Sequence, residues 1–82
     1  MPTVLRLGAF RVVVYPNDHR PAHVHAIGPG QEAVFALNCP DGPVTLRENY
    51  GVSRRELSQM GQALRDNLLG LCEAWRRLHE IH

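Results

Sequence analysis

One short stretch organises this chain: Asp18-His19-Arg20-Pro21-Ala22-His23-Val24-His25. It holds three of the five histidines of the 82-residue sequence, together with an aspartate and an arginine. The residues before it have the pattern of a β-hairpin, and those after it predict more strands and then a helix. The stretch therefore joins the hairpin to the rest of the predicted strands, and it marks the place where we expect a functional site.

The segment before this stretch predicts two paired strands. Residues Thr3–Leu7 and Phe10–Tyr15 are rich in strand-forming side chains, and Gly8-Ala9 separates them. Because glycine accepts the positive φ that a tight hairpin turn requires, the pattern predicts an antiparallel pair. Pro16-Asn17-Asp18 then predicts a turn that ends the second strand.

The chain resumes as a strand at His23, and two further strands are predicted at Glu32–Leu37 and Val44–Arg47. Successive side chains of a strand point to opposite faces, so His23 and His25 are expected to share one face. Residues 1–47 are therefore predicted to form a four- to five-stranded, mostly antiparallel sheet that contains this His-Val-His strand.

The C-terminal third predicts one long helix over residues 53–79. Ser53 and Glu56 have the spacing of a capping box, in which each side chain bonds the other residue's main-chain N–H. Apolar residues then recur at steps of three and four, namely Leu57, Met60, Leu64, Leu68, Leu71, Trp75 and Leu78. We expect this apolar side to cover one face of the sheet, which makes residues 1–82 a single α+β domain.

Composition excludes several classes of protein. The net charge is only +1, and all nine basic residues are arginine, so a strong phosphate-backbone binder is not expected. No apolar run approaches the length of about 20 residues that a membrane span needs, and a cytoplasmic protein without membrane association is predicted. In that compartment Cys39 and Cys72 are expected to be free thiols, with Cys72 packing in the core.

A second, small-residue stripe lies beside the apolar side of the predicted helix. It consists of Ala63, Gly70 and Ala74. Small side chains allow close approach of another helix, so a homodimer through this helix is one interpretation. The alternative is that these residues are simply surface positions.

The histidines admit a metal-binding interpretation. His23 and His25 on one strand face are spaced to converge on one ion, and His19 from the preceding loop could supply a third ligand. Asp18 could be a ligand or could orient one. The pattern is short and also fits histidines that pack or form hydrogen bonds on a half-buried face, so no metal and no other cofactor is predicted from it alone.

The same residues also admit acid–base chemistry without a metal. Histidine titrates near neutral pH, and His23 and His25 could take and return protons in the cleavage of RNA, with Arg20 stabilising the charged transition state. Tyr15 and Tyr50 are candidate binding residues for the same site, as are Asp18 and His19. Whether the protein is an enzyme is left open by the sequence.

Several segments together resemble a known bacterial family. These are Met1-Pro2-Thr3-Val4-Leu5-Arg6, the hairpin into Tyr15, Pro21-Ala22-His23-Val24-His25, Gly51-Val52-Ser53-Arg54-Arg55-Glu56-Leu57 and Glu73-Ala74-Trp75. They resemble a small family catalogued as domain of unknown function 4160, over essentially the whole chain. Family members usually have a second proline where this chain has Ala22, and an aliphatic residue where it has Ala26.

The resemblance implies a context rather than an activity. Members of this family are often encoded beside another small protein, in an arrangement similar to toxin–antitoxin pairs, which implies a small protein partner. The leading hypothesis is therefore a binding or regulatory module of a two-protein bacterial system. A metal-independent ribonuclease, with RNA as its partner, is the alternative, and a metal-binding module is the third hypothesis.

Overall fold

The sheet of this protein is a five-stranded antiparallel meander. The computed structural model describes residues 3–79, and neighbouring strands in the chain are neighbours in the sheet throughout. The elements are β1 (Thr3–Leu7), β2 (Phe10–Val13), β3 (His23–Gly28), β4 (Gln31–Ala36), β5 (Thr45–Tyr50), α1 (Arg54–Asp66) and α2 (Leu68–His79). The predicted α+β class and antiparallel sheet are confirmed. Met1 and Pro2, which belong to the family resemblance, lie outside the described residues.

The first hairpin forms as its sequence predicts. Leu7 and Phe10 are paired across the turn between β1 and β2, and Gly8 has a φ of 61°. A residue with a Cβ is disfavoured in this left-handed region, which is why glycine suits the position. The turn sets the register that brings β2 beside β3.

The prediction of one continuous helix over residues 53–79 is wrong, because the helix is interrupted at Asn67. Asn67 has a φ of −117°, and its side-chain amide donates to the main-chain oxygen of Ala63 at 2.8 Å. A side chain that bonds the backbone in this way competes with helix continuation. The main-chain oxygen of Asn67 accepts from the N–H of Leu71 at 3.0 Å, so α2 begins immediately. Within the described residues, neither helix is long and apolar enough to cross a membrane.

The last strand is longer than its sequence pattern predicts. The sequence predicts that the chain leaves the sheet after Arg47, but β5 continues to Tyr50. It pairs with β4 from Thr45 opposite Ala36 to Tyr50 opposite Glu32. All residues of β5 are exposed, so no alternation of apolar and polar residues marks it. In the described part of the chain β5 is an outer strand of the sheet.

The core lies between one face of the sheet and the two helices. The helices contribute Met60, Leu64, Leu71 and Trp75, which are buried as the apolar stripe predicts. The sheet contributes side chains that alternate along its strands, including Val12, Val24, Ala26, Ala33 and Phe35. Because Val24 faces this core, its neighbours His23 and His25 are directed to the other face of the sheet.

The cysteines are not free thiols. Cys39, in the loop between β4 and β5, forms a disulfide with Cys72 of α2, with an S–S distance of 2.01 Å. Cys72 is partly buried against the core, so its predicted packing is confirmed while its predicted redox state is wrong. The two cysteines are 33 residues apart in the sequence, and only the packing of α2 against the sheet brings them together.

The predicted capping box at the start of α1 is confirmed and gives a stability test. The Ser53 hydroxyl accepts from the Glu56 N–H at 3.2 Å, and the Glu56 carboxylate accepts from the Ser53 N–H at 3.4 Å. We expect Ser53→Ala to lower the free energy of unfolding by about 1 kcal/mol, because the helix loses an N-terminal acceptor.

Urea unfolding followed by circular dichroism measures this effect. Ser58→Ala is the matched control, since Ser58 is an exposed residue inside α1. Alanine there keeps or slightly raises stability, because it has the higher helix propensity. Equal unfolding midpoints for the two variants would show that the cap does not stabilise the fold.

Candidate metal centre

Strand β3 places two imidazoles side by side on the sheet face that turns away from the core. His25 lies between Val13 of β2 and Val34 of β4, and both valines are buried. The side chains of His23 and His25 are 11% and 16% exposed, and their rings lie 5.2 Å apart between centroids. The predicted pairing of the two histidines on one face is confirmed, and both are held in a largely buried setting.

The loop between β2 and β3 brings Asp18 onto the histidine pair. The Asp18 N–H donates to the main-chain oxygen of Tyr15 at 3.0 Å, which closes a turn over Pro16 and Asn17. The turn directs the Asp18 carboxylate at both rings. One oxygen, Oδ2, lies 3.1 Å from His23 Nε2 and 2.9 Å from His25 Nε2. Asp18, which the sequence suggested as a ligand or an orienting group, is thus the centre of the cluster.

The outer nitrogen of each ring is held by an acceptor. His23 Nδ1 lies 2.8 Å from the main-chain oxygen of Pro21, and His25 Nδ1 lies 3.1 Å from the Glu32 carboxylate. Both partners only accept hydrogen bonds, so each Nδ1 must carry a hydrogen to bond there. A neutral imidazole has a hydrogen on one nitrogen only, which leaves both Nε2 atoms with free lone pairs.

These lone pairs meet on an oxygen that is itself an acceptor. Two Nε2 atoms and Asp18 Oδ2 therefore repel one another unless a proton on each ring or a cation lies between them. The ligand atoms of Asp18, His23 and His25 all lie within 4.8 Å of one another. Ligands 2.0–2.1 Å from an ion stand about 2.8–3.4 Å apart at bond angles of about 90–109°. The two nitrogen–oxygen distances, 3.1 and 2.9 Å, lie within this range.

Aromatic rings enclose the cluster on two sides. Tyr15 packs edge-on against His25 with ring centroids 4.8 Å apart, and Trp75 of α2 lies 5.1 Å from His23. Trp75 in turn stacks on His79, with centroids 3.8 Å apart. His79 Nε2 lies 3.0 Å from the main-chain oxygen of Asp18, so the end of α2 contacts the loop that supplies the carboxylate.

The remaining predicted site residues line a groove beside the cluster. His19, Arg20 and Tyr50 border an open groove of about 450 Å³ that also reaches His23 and His25. Among the described residues, the metal-type cluster contains Asp18 with the histidine pair and does not include His19. The Tyr50 hydroxyl donates to Glu48 at 2.6 Å, and this bond, together with the charge of that carboxylate, raises the pKa of Tyr50.

Sequence reasoning missed three contributors to this site. Glu32 and Val34 are two residues apart on β4, so strand alternation puts both side chains on the face of the histidines. Alternation is therefore a signal by which the sequence could have identified Glu32. Trp75 and His79 carried no such signal. The spacing of Trp75 predicts only a core position. His79 is 61 residues from Asp18 in the sequence, so no local pattern indicates their contact.

Comparison with known proteins identifies the family of the chain. A family model described as Domain of unknown function (DUF4160) matches residues 9–76, and the chain therefore belongs to this family. The match confirms the resemblance. No curated protein and no solved structure matches the chain.

Proposed function

We propose that this member of the DUF4160 family is a small binding and regulatory module built around a divalent metal centre, with His23, His25 and Asp18 as ligands. One observation carries the proposal. Both imidazoles use Nδ1 to bond a fixed acceptor, and both direct Nε2 at the same carboxylate oxygen. Metal-binding histidines characteristically donate their other N–H to a carbonyl or carboxylate in this way, which fixes the ring and leaves the lone pair for the ion.

The donor set favours a borderline divalent transition ion. Two imidazole nitrogens and one carboxylate oxygen suit zinc, iron(II) or manganese(II), and the Cys39–Cys72 disulfide offers no thiolate to this set. Three protein ligands leave a coordination position for water or a small anion, as in sites where the metal takes part in binding or reaction. The groove that includes Arg20 and Tyr50 reaches the same histidines and is the natural route for such a group.

Isothermal titration of the disulfide-bonded protein with Zn²⁺ tests the proposal. We expect one equivalent to bind, with release of protons if the rings are protonated beforehand, because the ligands must be deprotonated to bind. The Asp18→Asn variant keeps a side chain of the same shape and loses the anionic ligand. Absence of binding by the wild type, or unchanged binding by Asp18→Asn, would contradict the proposed centre.

The Glu32 carboxylate gives a second, graded test. It accepts from His25 Nδ1, and removal of such a supporting acceptor typically costs about 10–100-fold in metal affinity. We therefore expect Glu32→Ala to weaken Zn²⁺ binding by about 10–100-fold. Glu48→Ala is the matched control, because Glu48 lines the same groove but bonds Tyr50. A similar loss for both variants would point to general charge around the groove and away from the Glu32–His25 bond.

A metal-independent ribonuclease is the second candidate function. The groove that joins Arg20 and Tyr50 to His23 and His25 favours it, since these are the residue types the reaction needs. Against it, both Nδ1 atoms bond fixed acceptors and both Nε2 atoms face the Asp18 carboxylate. Incubation with RNA in the presence of a strong chelator separates the two candidates. Cleavage that persists there and is lost in His23→Ala/His25→Ala supports the nuclease and counts against the metal.

A small protein partner, encoded nearby in a toxin–antitoxin-like pair, remains part of the proposal. The exposed outer strand β5, with Leu46 and Tyr50 prominent on its surface, supports such an association. The homodimer through Ala63, Gly70 and Ala74 is a separate proposal. The break at Asn67 divides these residues between α1, which carries Ala63, and α2, where Gly70 is exposed. Coexpression followed by size-exclusion chromatography distinguishes a complex with the neighbouring protein from a dimer. A monomer that copurifies with nothing would count against both.

A further inference from the structure

We infer that the Cys39–Cys72 disulfide is a redox switch that controls metal affinity at the Asp18, His23 and His25 centre. The inference rests on the proposed metal function and names its regulation. The disulfide joins the loop after β4 to α2, and the far end of α2 contacts the loop that carries Asp18. Opening the disulfide would release one end of this connection and leave the carboxylate less firmly placed.

A continuous side of α2 connects the disulfide to the metal ligands. Cys72, Trp75 and His79 are spaced by three and four residues, so they lie along one side of the helix. Trp75 contacts both His23 and His79 through its ring. His79 then reaches the main-chain oxygen of Asp18 at 3.0 Å. From Trp75 onward each step in this path is a direct contact, and the disulfide anchors Cys72 one helical turn before Trp75.

Few buried side chains hold α2 in place apart from the disulfide. Leu71 and Trp75 are its buried residues, whereas its last turn carries the exposed Arg76 and Arg77. Leu68, Cys72 and Leu78 add partly buried contacts with the core, and the disulfide is the covalent link among these attachments. The position of His79, and with it the Asp18 loop, is therefore expected to respond to the redox state of the cysteines.

The disulfide is accessible to a reductant. Cys39 is exposed and Cys72 is partly buried, and both line an open groove of about 580 Å³ that also includes Arg20, Trp75 and His79. The groove therefore runs from the disulfide to the residues that contact the metal ligands. A structural disulfide sealed in the core would not be open to exchange in this way.

The chemistry requires a dithiol reductant of the kind that keeps cytoplasmic thiols reduced. A thiolate of the reductant attacks one sulfur of the disulfide, forms a mixed disulfide and releases the other cysteine as a thiolate. The second thiol of the reductant then displaces the remaining cysteine. Two electrons pass from the dithiol to the protein, the reductant becomes a disulfide, and two protons end on Cys39 and Cys72. In the predicted cytoplasmic setting such disulfides are usually transient and redox-sensing.

The experiment compares Zn²⁺ titrations of the oxidised wild type and of Cys39→Ser/Cys72→Ser. Serine replaces thiols that would themselves bind Zn²⁺ and so imitates the open disulfide without adding ligands. We expect the double variant to bind Zn²⁺ about 10-fold more weakly or worse, comparable to loss of a supporting contact. Ser53→Ala is the control for lower stability alone, since Ser53 caps the start of α1 and belongs neither to α2 nor to the Asp18 loop, and it should bind as the wild type does.

His79→Ala in the oxidised protein keeps the inference testable if the serine variant does not fold. It retains the disulfide and removes the contact with Asp18, so it should show a similar loss of affinity. Combined with the serine pair it should add little, because both changes break the same connection. Unchanged affinity in His79→Ala, or in a folded serine variant, overturns the switch and leaves the metal centre standing. Failure of the oxidised wild type to bind Zn²⁺ would instead overturn the proposed function itself.

Discussion

Replacement of His25 by glutamine is expected to lower the affinity for Zn²⁺ by more than about 100-fold, which exceeds the loss typical of a supporting contact. His25 lies between two carboxylates, because one nitrogen faces Glu32 and the other faces Asp18. Glutamine has a side chain of similar size but presents no imidazole nitrogen to the ion. The protein therefore keeps its sheet and loses a ligand.

The matched control for this variant is His19→Gln. His19 lies on the same loop as Asp18 and lines the adjacent groove, yet it is not one of the three clustered residues. Its replacement should leave the Zn²⁺ affinity unchanged within about twofold, or roughly 0.4 kcal/mol. Titration calorimetry measures the Zn²⁺ affinity of both variants, and circular dichroism verifies that they are folded. If His19→Gln removes binding while His25→Gln keeps it, the ligands have been assigned incorrectly.

Leu64→Ala is expected to have the largest effect on stability, about 2–5 kcal/mol of the free energy of unfolding. Leu64 is fully buried where α1 packs on the sheet, in the cluster that contains Val12, Val24 and Phe35. Truncation removes apolar burial and leaves a cavity that its neighbours fill only partly. For a domain whose total stability is of order 5–15 kcal/mol, this is a large fraction.

Leu69→Ala is the corresponding control on the surface. Leu69 belongs to α2 and is 76% exposed, so the same truncation there should change stability by no more than about 0.5 kcal/mol. Urea unfolding of the two variants and the wild type gives both values from one kind of measurement. Similar losses for Leu64→Ala and Leu69→Ala would mean that the helices do not pack on the sheet as described.

Local chemistry explains which parts of the fold could be predicted from the sequence. Gly8 indicated the first hairpin, the spacing of Ser53 and Glu56 indicated the start of α1, and strand alternation placed His23 beside His25. Each of these features depends on residues within a few positions of one another. Such short-range preferences can be predicted from sequence, because the same backbone geometry recurs wherever the pattern occurs.

The parts that escaped prediction depend on long-range contacts or on a single competing bond. The helix break at Asn67 interrupts only one residue, so the apolar repeat continues across it and gives no sign of the change. The Cys39–Cys72 pair forms because α2 crosses the loop after β4. The contact of His79 with Asp18 likewise needs the finished packing of helix on sheet.

The candidate site likewise has one part that the sequence predicts and one part that depends on how a loop folds. The histidine pair followed from alternation within one strand, whereas the role of Asp18 depended on how the loop after Tyr15 folds back over that strand. Loop closure of this kind is set by a turn and by the partners it reaches. The sequence therefore leaves three interpretations of the histidines open, namely metal binding, acid–base chemistry, and packing or hydrogen bonding on a half-buried face. The contacts of their four ring nitrogens show the hydrogen bonds of the third and support the metal centre that we propose.

Anomalous diffraction at the zinc absorption edge, from crystals of the disulfide-bonded protein grown with Zn²⁺, shows directly whether Asp18, His23 and His25 bind the ion. We expect one strong peak about 2.0–2.2 Å from His23 Nε2, from His25 Nε2 and from a carboxylate oxygen of Asp18. Both Nδ1 atoms should keep their bonds to Pro21 and Glu32. A map at saturating Zn²⁺ with no peak between these three residues, or with zinc bound only at other surface groups, would contradict the proposed centre.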